Sequence, residues 1–225
     1  MNKAIIKILL LNSFIVCSIF LLSSCSKQPN SEHKNTQQGK EKSALKEQYD
    51  EWKVKQDPKL LKEYQQFFAS FMKAPPPLME LVTNRNFVPK NCEYKRFSIP
   101  PKKYWNNLKS SLLLLEKLHQ NEYFKSYTIT ATYRNPELNT CVDGAKKSKH
   151  IQNFAVDFHI LNPKETHKAD SERLEQKLCD FWRKEGKQYR MGFGVYGNNR
   201  FHIDTQSYRT WGKDYSAKTS PCLKH

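Results

Sequence analysis

Two stretches of sequence decide the fold: SKHIQNFAVD at residues 148–157 and FHID at residues 201–204. The first predicts a loop that runs into a strand, because apolar and aromatic residues dominate from 154 to 160. The second begins another strand, which extends to residue 205 and follows the turn-rich link GNNR. Both predicted strands carry histidine and aspartate among apolar residues, so each brings polar side chains to the sheet.

These stretches contain a set of potential metal ligands. His150 and Asp157 would converge across the bend between the loop and its strand. His202 and Asp204 would share one face of a strand, because they lie two residues apart. Two histidines and a carboxylate form a common catalytic zinc set, with a water in the fourth position whose pKa falls towards about 7. Spacing alone leaves the hypothesis open, since a chain with seven histidines contains pairs near acids by chance.

The surrounding sequence predicts helices and further short strands. Apolar and aromatic residues recur at spacings near three and four over 45–73, and leucines do so after the Pro100-Pro101 pair, which indicates two helical segments. A third helix is predicted over 171–186. Strands are predicted at 127–133, 154–160, 193–196 and 201–205. Helices on one side and short strands on the other make an α+β domain with a small antiparallel sheet.

The N-terminus predicts a lipoprotein signal peptide. Residues 1–24 carry two lysines, no acid and an apolar run, which is the layout of a secretory signal. They lead into LSSC at 22–25, which resembles the lipobox of bacterial lipoproteins, where the cysteine receives the lipid. Cys25 is therefore expected to anchor the chain, and Ser26 points to the periplasmic face of the outer membrane under the Gram-negative sorting rule. A plain signal peptide or a membrane anchor with a chance cysteine is the alternative.

A tether and one domain are expected to follow the signal peptide. Residues 25–44 are polar, which is typical of a solvated tether, and residues 45–225 would form the domain with an N-terminal helical extension. The net charge of +16 favours anionic partners. No zinc-finger, RNP or basic-zipper pattern occurs, so nucleic acid is not expected as a partner. No heptad or other assembly signal stands out, and we expect a monomer.

A longer pattern resembles a known enzyme family. Its first half comprises YRNP at 133–136, Asn139, VDGA at 142–145, Ser148, His150, Ala155 and Asp157. Its second half comprises GFGVY at 192–196, FHIDT at 201–205 and RTWG at 209–212. In this order, and over about 97–222, the residues resemble the zinc D-Ala-D-Ala carboxypeptidases of the M15 peptidase family. The resemblance implies the hedgehog/D,D-peptidase fold and defines the scaffold better than the substrate.

The resemblance assigns roles to five residues. His150, Asp157 and His202 match the zinc ligands of the family, so Zn²⁺ is expected as the cofactor. Arg134 matches an arginine beside the substrate, where a guanidinium can pair with a peptide carboxylate. Ser148 matches a serine beside the metal cleft that would hydrogen-bond the substrate or orient a ligand. A surface ion pair for Arg134 and a turn for Ser148 are the structural alternatives.

Four further positions carry open questions. Asp204 is preferred as the general base that takes a proton from the zinc water, and orienting a ligand imidazole is its alternative role. Arg200 stands where many members carry a histidine, and it could bind the substrate and stabilise an oxyanion. Asn153 replaces the usual glycine, and asparagine tolerates a left-handed backbone. His159 shares the strand face of Asp157 and is expected to be structural or to support a ligand.

Four cysteines predict two disulfides in an exported domain. Cys92, Cys141, Cys179 and Cys222 allow three connectivities. They lack C-x-x-C spacing, so a cysteine-based zinc site is not expected. Of the three connectivities we favour Cys92–Cys141 and Cys179–Cys222. The first would join the segment before the Pro100-Pro101 helix to the loop after Arg134, and the second would join the late helix to the tail.

The sequence therefore predicts a lipid-anchored zinc peptidase of the cell envelope. Its substrate would be the peptide stems of peptidoglycan, and the bond that is cut, a terminal D-Ala or a crosslink, stays open. One alternative is a non-catalytic lipoprotein that binds peptidoglycan or zinc on the same scaffold, which the departure at Arg200 allows. A second alternative is a structural or interaction lipoprotein without a metal.

Overall fold

A computed structural model of the protein describes residues 31–84, 88–161 and 168–224. The chain divides into two compact units, Met1–Ser43 and Ala44–His225. The predicted signal peptide and Cys25 lie outside the described residues. In the described part of the chain, no helix combines the length and the apolar character that crossing a membrane requires.

The segment expected to be a tether is helical in its described part. The first helix, α1, spans Ser31–Lys53 and therefore includes residues 31–44. Its sequence is rich in Lys, Glu and Gln, which are polar but also good helix formers. The described part of this polar segment is therefore an ordered helix, and its role as a tether stays a prediction.

Among the described residues, five more helices, four short 3-10 helices and five strands follow. The helices are α2 (Pro58–Ala69), α3 (Leu78–Val82), α4 (Lys109–Gln120), α5 (Pro136–Cys141) and α6 (Lys168–Lys184). The 3-10 helices are Lys90–Lys95, Lys102–Leu108, Ala217–Thr219 and Pro221–Leu223. The strands are β1 (Tyr127–Ala131), β2 (Ala155–Ile160), β3 (Gly192–Gly197), β4 (Arg200–Asp204) and β5 (Arg209–Trp211). This mixture of helices and one sheet confirms the predicted α+β class.

The strands form one sheet in the order β1-β2-β4-β3-β5. All neighbouring pairs are antiparallel except β3 and β5, which run parallel. The central strand β4 pairs His202 with Asp157 of β2 on one side and with Gly194 of β3 on the other. The sequence did not predict β5, because three residues are too few to show a periodic pattern.

One face of the sheet is apolar and packs against helices. Fully buried alternating residues form it, namely Val156, Phe158, Ile160, Phe193, Val195, Phe201 and Ile203. Helix α4 contacts β2 and β4, and α6 contacts β3. Because successive side chains of a strand point to opposite faces, the residues between these lie on the other face. That second face carries the polar side chains of β2 and β4, including Asp157 and His202.

Both favoured disulfides are confirmed. Cys92 bonds to Cys141 at the end of α5, and Cys179 of α6 bonds to Cys222 in the last 3-10 helix. Each closes a long stretch of chain, with sequence separations of 49 and 43 residues. Loops of this length lose substantial conformational entropy in the unfolded chain when they are closed.

Removing the Cys179–Cys222 bond should lower the free energy of unfolding by about 2–4 kcal/mol, because the tail is then free to move in the unfolded state. Urea titration of the double variant Cys179→Ala, Cys222→Ala against the oxidised wild type measures this loss. Adding reductant to the variant should change the urea midpoint only through the remaining Cys92–Cys141 bond. A variant that matches the wild type would contradict the prediction.

Candidate metal centre

Three side chains predicted as ligands meet at one point on the polar face of the sheet. The Nδ1 atom of His202 lies 2.7 Å from Oδ1 of Asp157 and 3.3 Å from Nε2 of His150, and the last two atoms are 3.2 Å apart. All three residues are buried. Two imidazoles and one carboxylate therefore present three ligand atoms to a common point.

Each of the three residues is held by a different part of the fold. Asp157 and His202 are register partners on the neighbouring strands β2 and β4. His150 comes from the loop before β2, where Asn153 has φ 59° and its backbone N–H donates to the His150 carbonyl at 3.0 Å. The tight bend predicted between loop and strand is thus present. Asn153 takes the left-handed conformation expected of it, and its side chain donates to the Tyr104 carbonyl at 3.1 Å.

Hydrogen bonds on the far side of each imidazole select its tautomer. His150 Nδ1 lies 2.6 Å from the Thr132 carbonyl oxygen, so it carries the proton and donates it. His202 Nε2 lies 3.1 Å from Oδ2 of Asp204 and donates to that carboxylate. The opposite nitrogens, His150 Nε2 and His202 Nδ1, are then lone-pair acceptors that face each other and Asp157. Metal-binding histidines are oriented in this manner.

The donor set fits a zinc ion. Three acceptor atoms grouped in a buried place without a shared proton repel one another, and a cation at their centre removes that repulsion. Tetrahedral zinc with ligands at ~2.0 Å separates its ligand atoms by roughly 3.3 Å, which is close to two of the three distances here. The third distance, 2.7 Å between His202 Nδ1 and Asp157 Oδ1, is shorter than this.

The surroundings shift the pKa values of these groups in opposite directions. Burial lowers the pKa of His150, Asp157 opposes this, and the charge of Arg134 adds to the lowering. Burial raises the pKa of Asp157, but His150 and His202 outweigh it and hold that pKa well below its usual range. Burial also lowers the pKa of His202, but hydrogen bonds to Asp157 and Asp204 outweigh it and raise that pKa. A neutral His150 beside an ionised Asp157 is the state that binds a metal.

Asp204 does not occupy the position expected of a general base. Its side chain is fully buried behind His202, on the side of the ring away from the ligand atoms. Arg209 donates to both of its oxygens, at 3.0 and 2.5 Å, and the Gln206 N–H donates to Oδ1 at 2.9 Å. Burial raises the pKa of Asp204, but bonds from His202 and Arg209 outweigh it and lower the pKa. This geometry fits the alternative role, orienting a ligand imidazole, and the preferred role as general base stays a prediction.

The predicted substrate residues lie at different distances from the cluster. Arg134 is half-buried beside His150, and its backbone N–H donates to the His150 carbonyl at 3.1 Å. Ser148 accepts from the His150 N–H through Oγ at 3.4 Å, so it shapes the ligand loop as a turn residue. Arg200 is exposed at the start of β4, paired with His159 rather than with a ligand. His159 lies outside the ligand cluster, as expected.

The sequence assigned no role to an aromatic wall beside the cluster. The Trp211 ring lies 5.0 Å from the His202 ring, and its Nε1 donates to the Tyr196 hydroxyl at 3.3 Å. Gly194 makes room for this wall, because a Cβ there would lie 2.7 Å from the Trp211 indole. The alternation of GFGVY contains the signal, since it places Gly192, Gly194 and Tyr196 on the same face as the ligands.

Comparison with known proteins agrees with the geometry. Residues 96–204 match the family model described as Peptidase M15, a range that includes the three clustered ligands. The match ends before RTWG at 209–212, although the predicted resemblance extends past it. Neither the curated proteins nor the solved structures contain a significant match to the chain. M15 peptidases are zinc peptidases, and the match over residues 96–204 supports the assignment of this part of the chain to the M15 peptidase family.

Proposed function

We propose that this protein is a zinc-dependent peptidase that hydrolyses peptide bonds in the stem peptides of peptidoglycan. The observation that carries the proposal is the convergence of His150 Nε2, Asp157 Oδ1 and His202 Nδ1 at one buried point, with the remaining imidazole nitrogens already bonded. The match of residues 96–204 to a family of metallopeptidases supports the same activity. A bound zinc ion would supply Lewis acidity to the scissile carbonyl and an activated water.

The chain's own residues supply binding and orientation. Arg134 lies beside His150 with its guanidinium close enough to influence that ring, so it is placed to receive a carboxylate of the peptide stem. Burial raises the pKa of Tyr196 far above neutrality, with Asp157 adding to the effect. Its hydroxyl therefore keeps its proton and is suited to donate to the oxyanion that would develop from the scissile carbonyl. Arg200, on the His202 face of β4, extends the cationic surface towards the wall polymer.

We also propose that the lipid on Cys25 holds the protein at the periplasmic face of the outer membrane. The support is the LSSC sequence at 22–25 and the serine that follows it. Fractionation of cells that express the wild type or Cys25→Ala tests this. The wild type should stay with membranes and the variant should become soluble or keep an uncleaved signal. Equal membrane association of a processed Cys25→Ala protein would argue against the anchor.

Peptidoglycan digestion tests the enzymatic proposal. Full-length protein with one equivalent of zinc is incubated with purified peptidoglycan, with and without a chelator, and the products are identified by mass. Chelator-sensitive release of D-Ala would identify a carboxypeptidase, and loss of crosslinked dimers would identify an endopeptidase. If zinc is bound at 1:1 and no product forms, the enzymatic proposal fails for this substrate. The non-catalytic binding role on the same scaffold would then be favoured.

A further inference from the structure

Asn84 is a buried polar residue that follows α3 and precedes the region matched by the family model. It is 1% exposed, and residues 96–204 carry the family match, so the family pattern does not include it. Its backbone is fixed on both sides by one residue: its N–H donates to the Arg96 carbonyl at 3.0 Å, and its carbonyl accepts from Arg96 Nη1 at 2.9 Å. The side chain therefore starts from a defined position.

Both polar atoms of the Asn84 carboxamide form hydrogen bonds with the segment that leads to the metal centre. Nδ2 donates to the Tyr133 carbonyl at 2.9 Å, and Oδ1 accepts from Nε of Arg134 at 3.3 Å. The first bond determines which end of the carboxamide faces Arg134, because only the oxygen can accept from a guanidinium. Asn84 thus binds Arg134, whose backbone contacts the ligand His150, and does so without adding a charge.

Arg134 adjoins the loop that carries a metal ligand. Its backbone N–H donates to the His150 carbonyl at 3.1 Å, and its side chain is half-buried. Within the described part of the chain, its terminal Nη1 and Nη2 groups take part in no salt bridge. A guanidinium held through Nε keeps its planar fork of Nη groups available for a carboxylate in bidentate geometry.

We propose that Asn84 is a positioning residue that aims the guanidinium of Arg134 at a substrate carboxylate beside the metal centre, and so makes the site select peptides with a free carboxylate next to the scissile bond. The inference rests on the proposed peptidase function. An asparagine suits this task better than an aspartate, because an aspartate would pair with Arg134 and neutralise the charge that the substrate needs. Holding the long arginine side chain in advance also reduces the entropy lost on binding.

The test compares two stem peptides that differ only at the C-terminus, one with a free carboxylate and one amidated. Their dissociation constants are measured on the zinc-free full-length protein, where no hydrolysis occurs, and their KM and kcat on the zinc-loaded protein. The wild type should bind the acid about tenfold more tightly than the amide. Asn84→Ala and Asn84→Asp should each remove most of that preference. The effect should fall on KM more than on kcat, with zinc stoichiometry unchanged.

A double-variant cycle separates positioning from a structural effect. Arg134→Met should lose the same preference, and adding Asn84→Ala to it should cause no further loss, because the two residues act through one contact. The inference is overturned if the wild type does not discriminate between the peptides, or if Asn84→Ala retains the preference. Equal weakening of both peptides would also overturn it. A preference that is present and Asn84-dependent in a protein without turnover would support the inference while refuting the peptidase proposal.

Discussion

Replacing His150 by alanine should remove stoichiometric zinc and reduce hydrolysis of peptidoglycan by at least about a thousandfold, the equivalent of several kcal/mol of transition-state stabilisation. The reason is that His150 Nε2 is one of three ligand atoms, and the remaining two, on Asp157 and His202, do not form a complete catalytic set. Metal analysis after dialysis against a weak chelator and product release from peptidoglycan measure the two losses.

His159→Ala is the matched control for this variant. His159 also lies on the polar face of the sheet, two residues from Asp157, but outside the ligand cluster. It should keep one zinc per chain and most of its activity. If His150→Ala retains zinc at 1:1, the ligand assignment is wrong, whatever the activity.

Replacing Asp204 by alanine should destabilise the protein by about 3–5 kcal/mol and weaken zinc binding by about 10–100-fold. The variant leaves the Nε2 proton of His202 and the guanidinium of Arg209 without their common acceptor, in a place where Asp204 is fully buried. His202 then loses the bond that orients its ring towards the ligands. Urea unfolding of the zinc-free protein measures the first effect, and competition with a fluorescent chelator measures the second.

This variant also separates the two roles considered for Asp204. If Asp204 is the general base, removing it lowers kcat and leaves the zinc affinity of the protein unchanged. If it orients His202, removing it lowers the zinc affinity as well. Asp204→Asn is the matched control, because its carbonyl oxygen can still accept from His202 Nε2. It should keep more zinc affinity than the alanine variant. Equal zinc affinity in the wild type and Asp204→Ala would instead favour Asp204 as the general base.

The periodicity of the strands predicted much of the candidate site. His202 and Asp204 lie on one face because they are two residues apart, and Asp157 faces them because β2 and β4 are register partners. The sequence could not predict which ring nitrogen of each histidine faces the other ligands. That choice depends on the Thr132 carbonyl, a backbone atom that leaves no trace in the sequence, and on the placement of Asp204 behind His202.

Other features escaped prediction because their cause is tertiary. β5 is three residues long and gains its place by pairing with β3, which brings Trp211 beside His202. Asn84 lies 50 residues before Arg134 and reaches it only after α3 packs against β1. The helix over residues 31–44 has a local cause instead. The polar composition suggested a tether, but the same residues have high helix propensity.

The pairing of β2 with β4 has a consequence for protein turnover. Asp157 and His202 are hydrogen-bonded neighbours, yet 45 residues separate them in sequence, and that interval contains α6 and β3. A cation held by both residues would link the two ends of this interval in the folded chain. Because binding to the folded form alone stabilises it by mass action, metal starvation would increase the susceptibility of the chain to proteases. The supply of metal would then determine how long each molecule survives as well as whether it works.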